Sequence, residues 1–169
     1  MPRGCLVVTV RDPALGLVRV MCTHLEYHSA SQRLAQVQAL RAIHAQALAQ
    51  LQALPAAASA ATPYTTPVHT PHAVLCGDFN LHAGEAPMPR SWPCRTMARA
   101  LWHDSWPLLH GSAPQPATFC VFDRSWGPTR RWPCDFALVS DSLRSHVRAW
   151  HSDSTTQLSD HQPVLITLT

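Results

Sequence analysis

Ala73-Val74-Leu75-Cys76-Gly77-Asp78-Phe79-Asn80 is the stretch on which the fold turns. Four apolar residues in a row are too few for a helix and read as a short buried strand, ended by Gly77. Asp78 and Asn80 stand two apart, so in extended geometry both side chains point the same way, at a strand end where ligands often sit. A carboxylate beside an amide suits an oxygen-rich substrate. The carboxylate can orient or deprotonate a water, the amide can contact a phosphoryl oxygen, and carboxylates also hold Mg²⁺. The same tetrapeptide is equally compatible with a plain Asp/Asn turn closing a strand.

Working outward toward the N-terminus, Leu6 to Val10 and Leu17 to Cys22 are apolar, β-branched-rich runs separated by Asp12-Pro13-Ala14-Leu15-Gly16. The proline and glycine are turn formers, so the pair predicts a hairpin. Ser29 followed by Gln32 has capping-box spacing, and Leu34, Val37, Leu40, Ile43, Leu48, Leu51 and Leu54 then form an apolar helical stripe that Pro55 ends. A helix there would run about 35 Å, enough to cover one face of a sheet. Residues 55–72, rich in Ala, Thr and Pro, predict a flexible surface loop inside the domain rather than a boundary. Toward the C-terminus, Thr118 to Phe122, Phe136 to Val139 and Val164 to Leu168 are further predicted strands. Strands flanking one long helix predict a single α/β layered domain over 1–169.

A chain of 169 residues can bury a core of its own. With 46% hydrophobic residues, 14% charged and 15 prolines, it reads as globular with proline-punctuated loops, not as disordered. The net charge of +3 permits an anionic substrate, but the thirteen Lys and Arg are scattered rather than striped, which argues little for nucleic acid. Cys5, Cys22, Cys76, Cys94, Cys120 and Cys134 include no CxxC pair and lie in or beside apolar runs, as reduced structural thiols do. The apolar run from Cys5 to Val10 is too short for a signal segment or a membrane span, so a cytoplasmic protein is expected, with no transmembrane segment and no obligate protein partner evident.

Three other positions could carry chemistry. His24 follows the strand ending at Cys22, where a lone histidine is ordinarily a hydrogen-bonded edge residue. Asp135 heads the apolar run Phe136-Ala137-Leu138-Val139, as a turn cap or as the partner that fixes a histidine tautomer. Ser159-Asp160-His161-Gln162-Pro163 sets an acid beside an imidazole before the last strand. Neighbours in a strand face opposite ways, so both serve one site only if Pro163 keeps the segment bent; otherwise it is a solvated turn.

In chain order, Thr23-His24-Leu25-Glu26-Tyr27, Gly77-Asp78-Phe79-Asn80, Asp135-Phe136-Ala137-Leu138-Val139-Ser140 and Ser159-Asp160-His161-Gln162-Pro163 resemble successive signatures of the endonuclease/exonuclease/phosphatase superfamily, from about Val7 to the C-terminus. The resemblance implies the C-terminal part of a four-layer α/β sandwich, mostly antiparallel sheets with outer helices, whose first-half strands are missing. It implies a Mg²⁺- or Mn²⁺-dependent hydrolase of phosphodiesters or phosphomonoesters. Asp78 would orient or activate the attacking water, and Asn80 would bind a phosphoryl oxygen. Asp135 would pair with His161, which contacts the phosphate. Asp160 would sit at or near the metal, and His24 would contact the phosphate or protonate the leaving oxygen.

The family's metal-ligating glutamate and an asparagine near it lie upstream of anything matching Val7, and neither Glu26 nor Glu85 stands in a matching context. The resemblance therefore implies an N-terminally truncated member with an unpaired apolar sheet face. Two alternatives stand beside the hydrolase. One is an inactive fragment that at most binds phosphate or metal weakly. The other is a transition-metal-binding or interaction protein, suggested by His24-Leu25-Glu26-Tyr27-His28, although this string lacks the recurrent spacing of zinc sites. Tyr27, Trp126, Arg130, Arg131 and Trp132 could stack on bases or grip phosphates, leaving nucleic acid, a phospholipid headgroup or a small phosphodiester as the substrate.

Overall fold

The computed structural model describes residues 3–53, 69–81, 102–123, 125–127 and 131–169. The predicted hairpin forms from β1 (Cys5–Asp12) and β2 (Gly16–His24), paired without a slip from Cys5↔Thr23 to Asp12↔Gly16. Asp12 Oδ1 accepts the backbone N–H groups of Ala14 and Leu15, both at 2.8 Å, which closes the turn. Helix α1 (Ala30–Ala53) then carries the chain to β3 (Ala73–Asp78), which pairs parallel to β2. Parallel neighbours need such a crossover, and the long helix supplies it.

Two more strands complete the sheet, β4 (Trp102–Asp104) and, after the short helix α2 (Ser105–His110), β5 (Asp135–Ser140). The order is β1-β2-β3-β5-β4, with β5 antiparallel to both its neighbours. A second sheet is the antiparallel pair β6 (Val147–Ser152) and β7 (Val164–Leu168).

Alternation along β2, β3 and β5 sends side chains to two cores. Met21, Leu75, Phe136 and Leu138 pack with Val37 and Leu40 of α1 on one face. Val18, Val74 and Val139 pack with Val147, Ile166 and Leu168 of the small sheet on the other. The result is a layered α/β arrangement, helix on sheet on sheet, as expected from the sequence. Among the described residues no helix is long and apolar enough to cross a membrane. The five described cysteines are free thiols.

Three expectations need correction. First, the face that α1 buries is Arg33, Val37, Leu40, His44 and Ala47, while Leu34 and Ile43 are exposed. Ser29 Oγ does accept the Gln32 N–H, at 3.3 Å, as the capping spacing predicted. The stripe is rotated because two polar side chains find partners beneath the helix. Arg33 donates to the carbonyls of Glu26 and Tyr27, and His44 accepts from the Arg19 guanidinium. Second, Thr118 to Phe122 is not a strand. Cys120 has φ 52°, which breaks the extended run, and Phe119 instead forms single bridges to Trp132 and to His161. Third, the loop 55–72 lies mostly outside the described residues, but its end is pinned: Thr70 is buried and donates to Leu17 O at 2.6 Å, and His72 O accepts from Arg19 N.

Candidate active site

Register brings the first three groups together. His24 is the partner of Asp78 across β2 and β3, and Asp78 is the partner of Asp135 across β3 and β5. Three adjacent strands thus end side by side in His24, Asp78 and Asp135. Gly77 permits the close approach: its φ is 134°, and a Cβ there would fall 1.8 Å from the carbonyl oxygen of Thr23.

Beyond the strand ends the backbone is tied on both sides of Asp78. Leu25 N–H donates to Asp78 O at 2.9 Å and Phe79 N–H to Cys134 O at 2.8 Å. Asn80, in the left-handed region at φ 48°, donates its N–H to Asp78 Oδ1 at 2.7 Å. Its amide Nδ2 donates to Leu25 O at 2.7 Å, so the buried side chain also anchors the loop leaving β2. Thr118 Oγ1 accepts the N–H groups of Cys134 and Asp135, each at 3.0 Å, fixing the start of β5.

His161 arrives from the segment before β7. That segment is held against 118–120 by Gln162 N–H to Thr118 O and Cys120 N–H to Asp160 O, both at 2.7 Å. Nδ1 of His161 lies 2.9 Å from Asp135 Oδ2, and its Nε2 faces Asp78 Oδ2 at 3.8 Å. His24 Nε2 meets the same Asp78 oxygen at 3.3 Å. One carboxylate oxygen therefore stands between two imidazoles, and a second carboxylate orients one of them. The cluster opens on the His24 side, where the side chain is 59% exposed against 14% for Asp78.

The electrostatics follow from this packing. Burial lifts the Asp78 carboxyl above its ordinary value and Asp135 pushes the same way, opposed by the Asn80 N–H and the two imidazoles. The hydrogen bond to Asp135 raises His161 against its own desolvation. A buried carboxylate with raised basicity can hold and polarise a water, and an imidazole whose protonated form is favoured can face an anion.

Aromatic rings frame His161 in a way the sequence did not disclose. Phe119 sits 4.9 Å from it, with Trp132 and Trp126 at 5.3 and 6.1 Å from Phe119. Trp126 and Trp132 are among the substrate candidates the sequence offers, whereas Phe119, inside an apolar run that predicts a strand, carries no such signal. Tyr27 packs edge-on to His28, Arg131 is exposed, and Arg130 lies outside the described residues.

The HxExH string does not converge. His24 turns to Asp78, Glu26 accepts from His28 N–H at 2.9 Å and lies 3.8 Å from Arg3, and the His28 ring rests on Tyr27. In that geometry the three side chains of the string do not share one metal position, and the Glu26 carboxylate is engaged by His28 N–H and Arg3; Glu85 lies outside the described residues. Asp160 accepts from Ser159 Oγ at 3.4 Å. Among the described residues no three or more His, Cys, Asp and Glu side chains are placed to hold a metal ion. The donor set present therefore does not by itself fit Mg²⁺ or Mn²⁺, which ask for several convergent oxygens.

No protein-family model and no curated protein matches the sequence. Solved structures do match in fold. A mannosyl-6-phosphatase from Bacteroides thetaiotaomicron is 17% identical with a TM-score of 0.62, over 100% of this chain and 58% of that one. An endonuclease/exonuclease/phosphatase from Beutenbergia cavernae is 24% identical with a TM-score of 0.55, over 98% and 39%. TDP2 from D. rerio, complexed with single strand DNA product, is 16% identical with a TM-score of 0.52, over 99% and 62%. The chain thus has the α/β sandwich fold of endonuclease/exonuclease/phosphatase structures and spans between 39% and 62% of the length of these three.

Proposed function

We propose that this chain carries the phosphate-handling part of a phosphoester hydrolase of the endonuclease/exonuclease/phosphatase type. One observation supports this above the others: Asp78 stands between His24 and His161 at three in-register strand ends, with Asp135 holding His161. In this reading Asp135 accepts from His161 Nδ1–H and favours the imidazolium form, whose Nε2–H faces the phosphoryl group and offsets the charge that builds as the nucleophile adds. Asp78 holds the attacking water and accepts its proton, for which its raised basicity suits it. His24, the most exposed member, contacts the phosphate or protonates the leaving oxygen. Asn80 shapes the Asp78 turn through its backbone N–H to Asp78, and in this reading its amide turns from Leu25 O to a phosphoryl oxygen when substrate is bound.

A divalent cation, Mg²⁺ or Mn²⁺, would supply further charge stabilisation, with Asp160 as this chain's contribution to its oxygen ligands. Because the described donors do not complete such a site, the roles above are assigned to protein groups alone. The phosphoester substrate reads as nucleic acid or a small sugar phosphate, since a mannosyl-6-phosphatase and a TDP2 complexed with single strand DNA product share the fold. Titration of the 169-residue chain with inorganic phosphate tests the site directly. The His24 and His161 imidazole NMR signals should shift together and saturate, and His161→Ala should abolish the shift at His24. Signals that stay put at millimolar phosphate would overturn the proposal.

A further inference from the structure

Cys22 of β2 and Cys76 of β3 are register partners across the parallel pair, so their side chains leave the same face of the sheet. Neighbouring strands lie about 4.8 Å apart, inside the roughly 4.4–6.8 Å Cα separation of bridged cysteines. The two thiols are joined by a hydrogen bond, and neither is in a disulfide. Cys22 is exposed and Cys76 half-buried.

That difference in exposure divides the work between them. Burial chiefly, with the Cys22 thiol adding to it, pushes the Cys76 thiol up to about 11, so its charged form is scarce at neutral pH. An oxidant from solution meets the exposed Cys22 first, and Cys76 stands beside it to resolve the product. Burial that opposes a thiolate does not oppose a disulfide, which carries no charge. The exposed sulfur also leaves such a bridge open to reductants.

We propose that Cys22 and Cys76 form a reversible disulfide, a modification site for peroxide-class oxidants set two register rows before His24 and Asp78. The Cys22 sulfur attacks one peroxide oxygen: S–O forms, O–O breaks, and the hydroxide released takes the Cys22 proton as water. The Cys76 sulfur then attacks the Cys22 sulfur: S–S forms, S–O breaks, and the departing hydroxide takes the Cys76 proton as a second water. Two thiols are oxidised and one peroxide is reduced. The bridge ties β2 to β3 beside the Gly77 close approach and so holds the strand ends that carry His24 and Asp78. The thiol pair itself owes nothing to the phosphoester reading.

Cleavage after arginine leaves Cys5, Cys22 and Cys76 on separate peptides, 4–11, 20–33 and 42–90. The 169-residue chain, treated with hydrogen peroxide, then alkylated and digested without reductant, should yield 20–33 joined to 42–90, lighter by two hydrogens than the separate peptides together. Dithiothreitol should restore both thiols. In Cys76→Ala the joined peptide should be lost and dimedone should trap Cys22 as its sulfenic acid, a product wild type should barely show. If that variant fails to fold, the wild-type peptides still decide. Peroxide that leaves both thiols free, carries Cys22 on to sulfinic acid, or joins it to Cys5 or to a second chain in preference to Cys76 would overturn the proposal. So would thiols that resist peroxide yet hold Cu(I) one-to-one, since the pair would then be a soft-metal site.

Discussion

The Nδ1 of His161 and the carboxylate of Asp135 lie 2.9 Å apart although 26 residues separate them in the chain. The carboxylate accepts the Nδ1 proton, so Nε2 is the nitrogen left facing Asp78, and the imidazole gains basicity. Positioning and charge thus come from one contact.

Asp135→Asn should therefore lower the His161 pKa, because burial still opposes the cation once the carboxylate is gone. The linkage has a definite sign. A folded pKa above the ordinary 6.5 contributes stability that is present below 6.5 and is lost as pH rises through the higher folded value. Imidazole NMR titration of wild type and Asp135→Asn measures the shift, and an unchanged His161 midpoint would remove the pair from the account.

In the proposed mechanism turnover depends on His24, Asp78, Asp135 and His161. With Mg²⁺, the 169-residue chain should hydrolyse bis-(p-nitrophenyl) phosphate barely above background, because the described donors do not complete a metal site. In any form of the protein that is clearly active, Asp78→Ala or His161→Ala should each cost about 10²–10⁴-fold in kcat/KM. Robust EDTA-sensitive turnover by the 169-residue chain would show that the donor set is more complete than its geometry indicates.

Gly77→Ala sets a side chain where the Thr23 carbonyl already stands, at a φ that L-residues rarely adopt. The β2 and β3 ends must separate, at about 3 kcal/mol or more. Chemical denaturation should show that loss, and the His24 and Asp78 contact should be lost with it. A variant as stable as wild type would mean that the close approach is dispensable.

Among the described residues strand β1 ends the sheet with one edge unpaired and exposes Leu6, Val7, Val8 and Val10. Such an edge pairs readily with another chain. Sedimentation should show concentration-dependent self-association of the 169-residue chain, relieved by Val8→Lys. Association unaffected by that charge would place the contact elsewhere.

His44, on the buried face of α1, accepts from Arg19, and its pKa is pushed down to about 4, chiefly by burial and further by Arg19. A depressed folded pKa contributes stability that is present above 6.5 and is lost as pH falls through about 4. His44→Gln, which keeps an acceptor and does not titrate, should flatten the decline between those values. His44→Leu should cost about 1–3 kcal/mol by stranding the guanidinium. Equal acid sensitivity in wild type and His44→Gln would exclude His44 as its origin.

Local pattern made much of the fold legible. The hairpin Leu6 to Cys22, the strand Ala73 to Cys76, the run Phe136 to Val139 and the last strand are continuous apolar segments with turn residues at their ends, and each formed as read. Thr118 to Phe122 misled because its apolar residues answer to Trp132 and His161, a long-range demand, with Cys120 taking a left-handed φ to meet it. The α1 stripe misled for a similar reason, since Arg33 and His44 bury only where carbonyls and a guanidinium await them.

By itself the sequence determined which residue types sit at which strand ends: His24 after β2, Asp78 closing β3, Asp135 opening β5 and His161 before β7. Those placements follow from local hydrophobic period and from glycine and proline, which act within a few residues. Only the tertiary structure decided that the first three share one register row and that His161 reaches across to two of them. It also decided that Gln162, next in the chain, is buried. Register between distant strands is set by packing and ladder hydrogen bonds summed over whole elements, and no short stretch of sequence carries that sum.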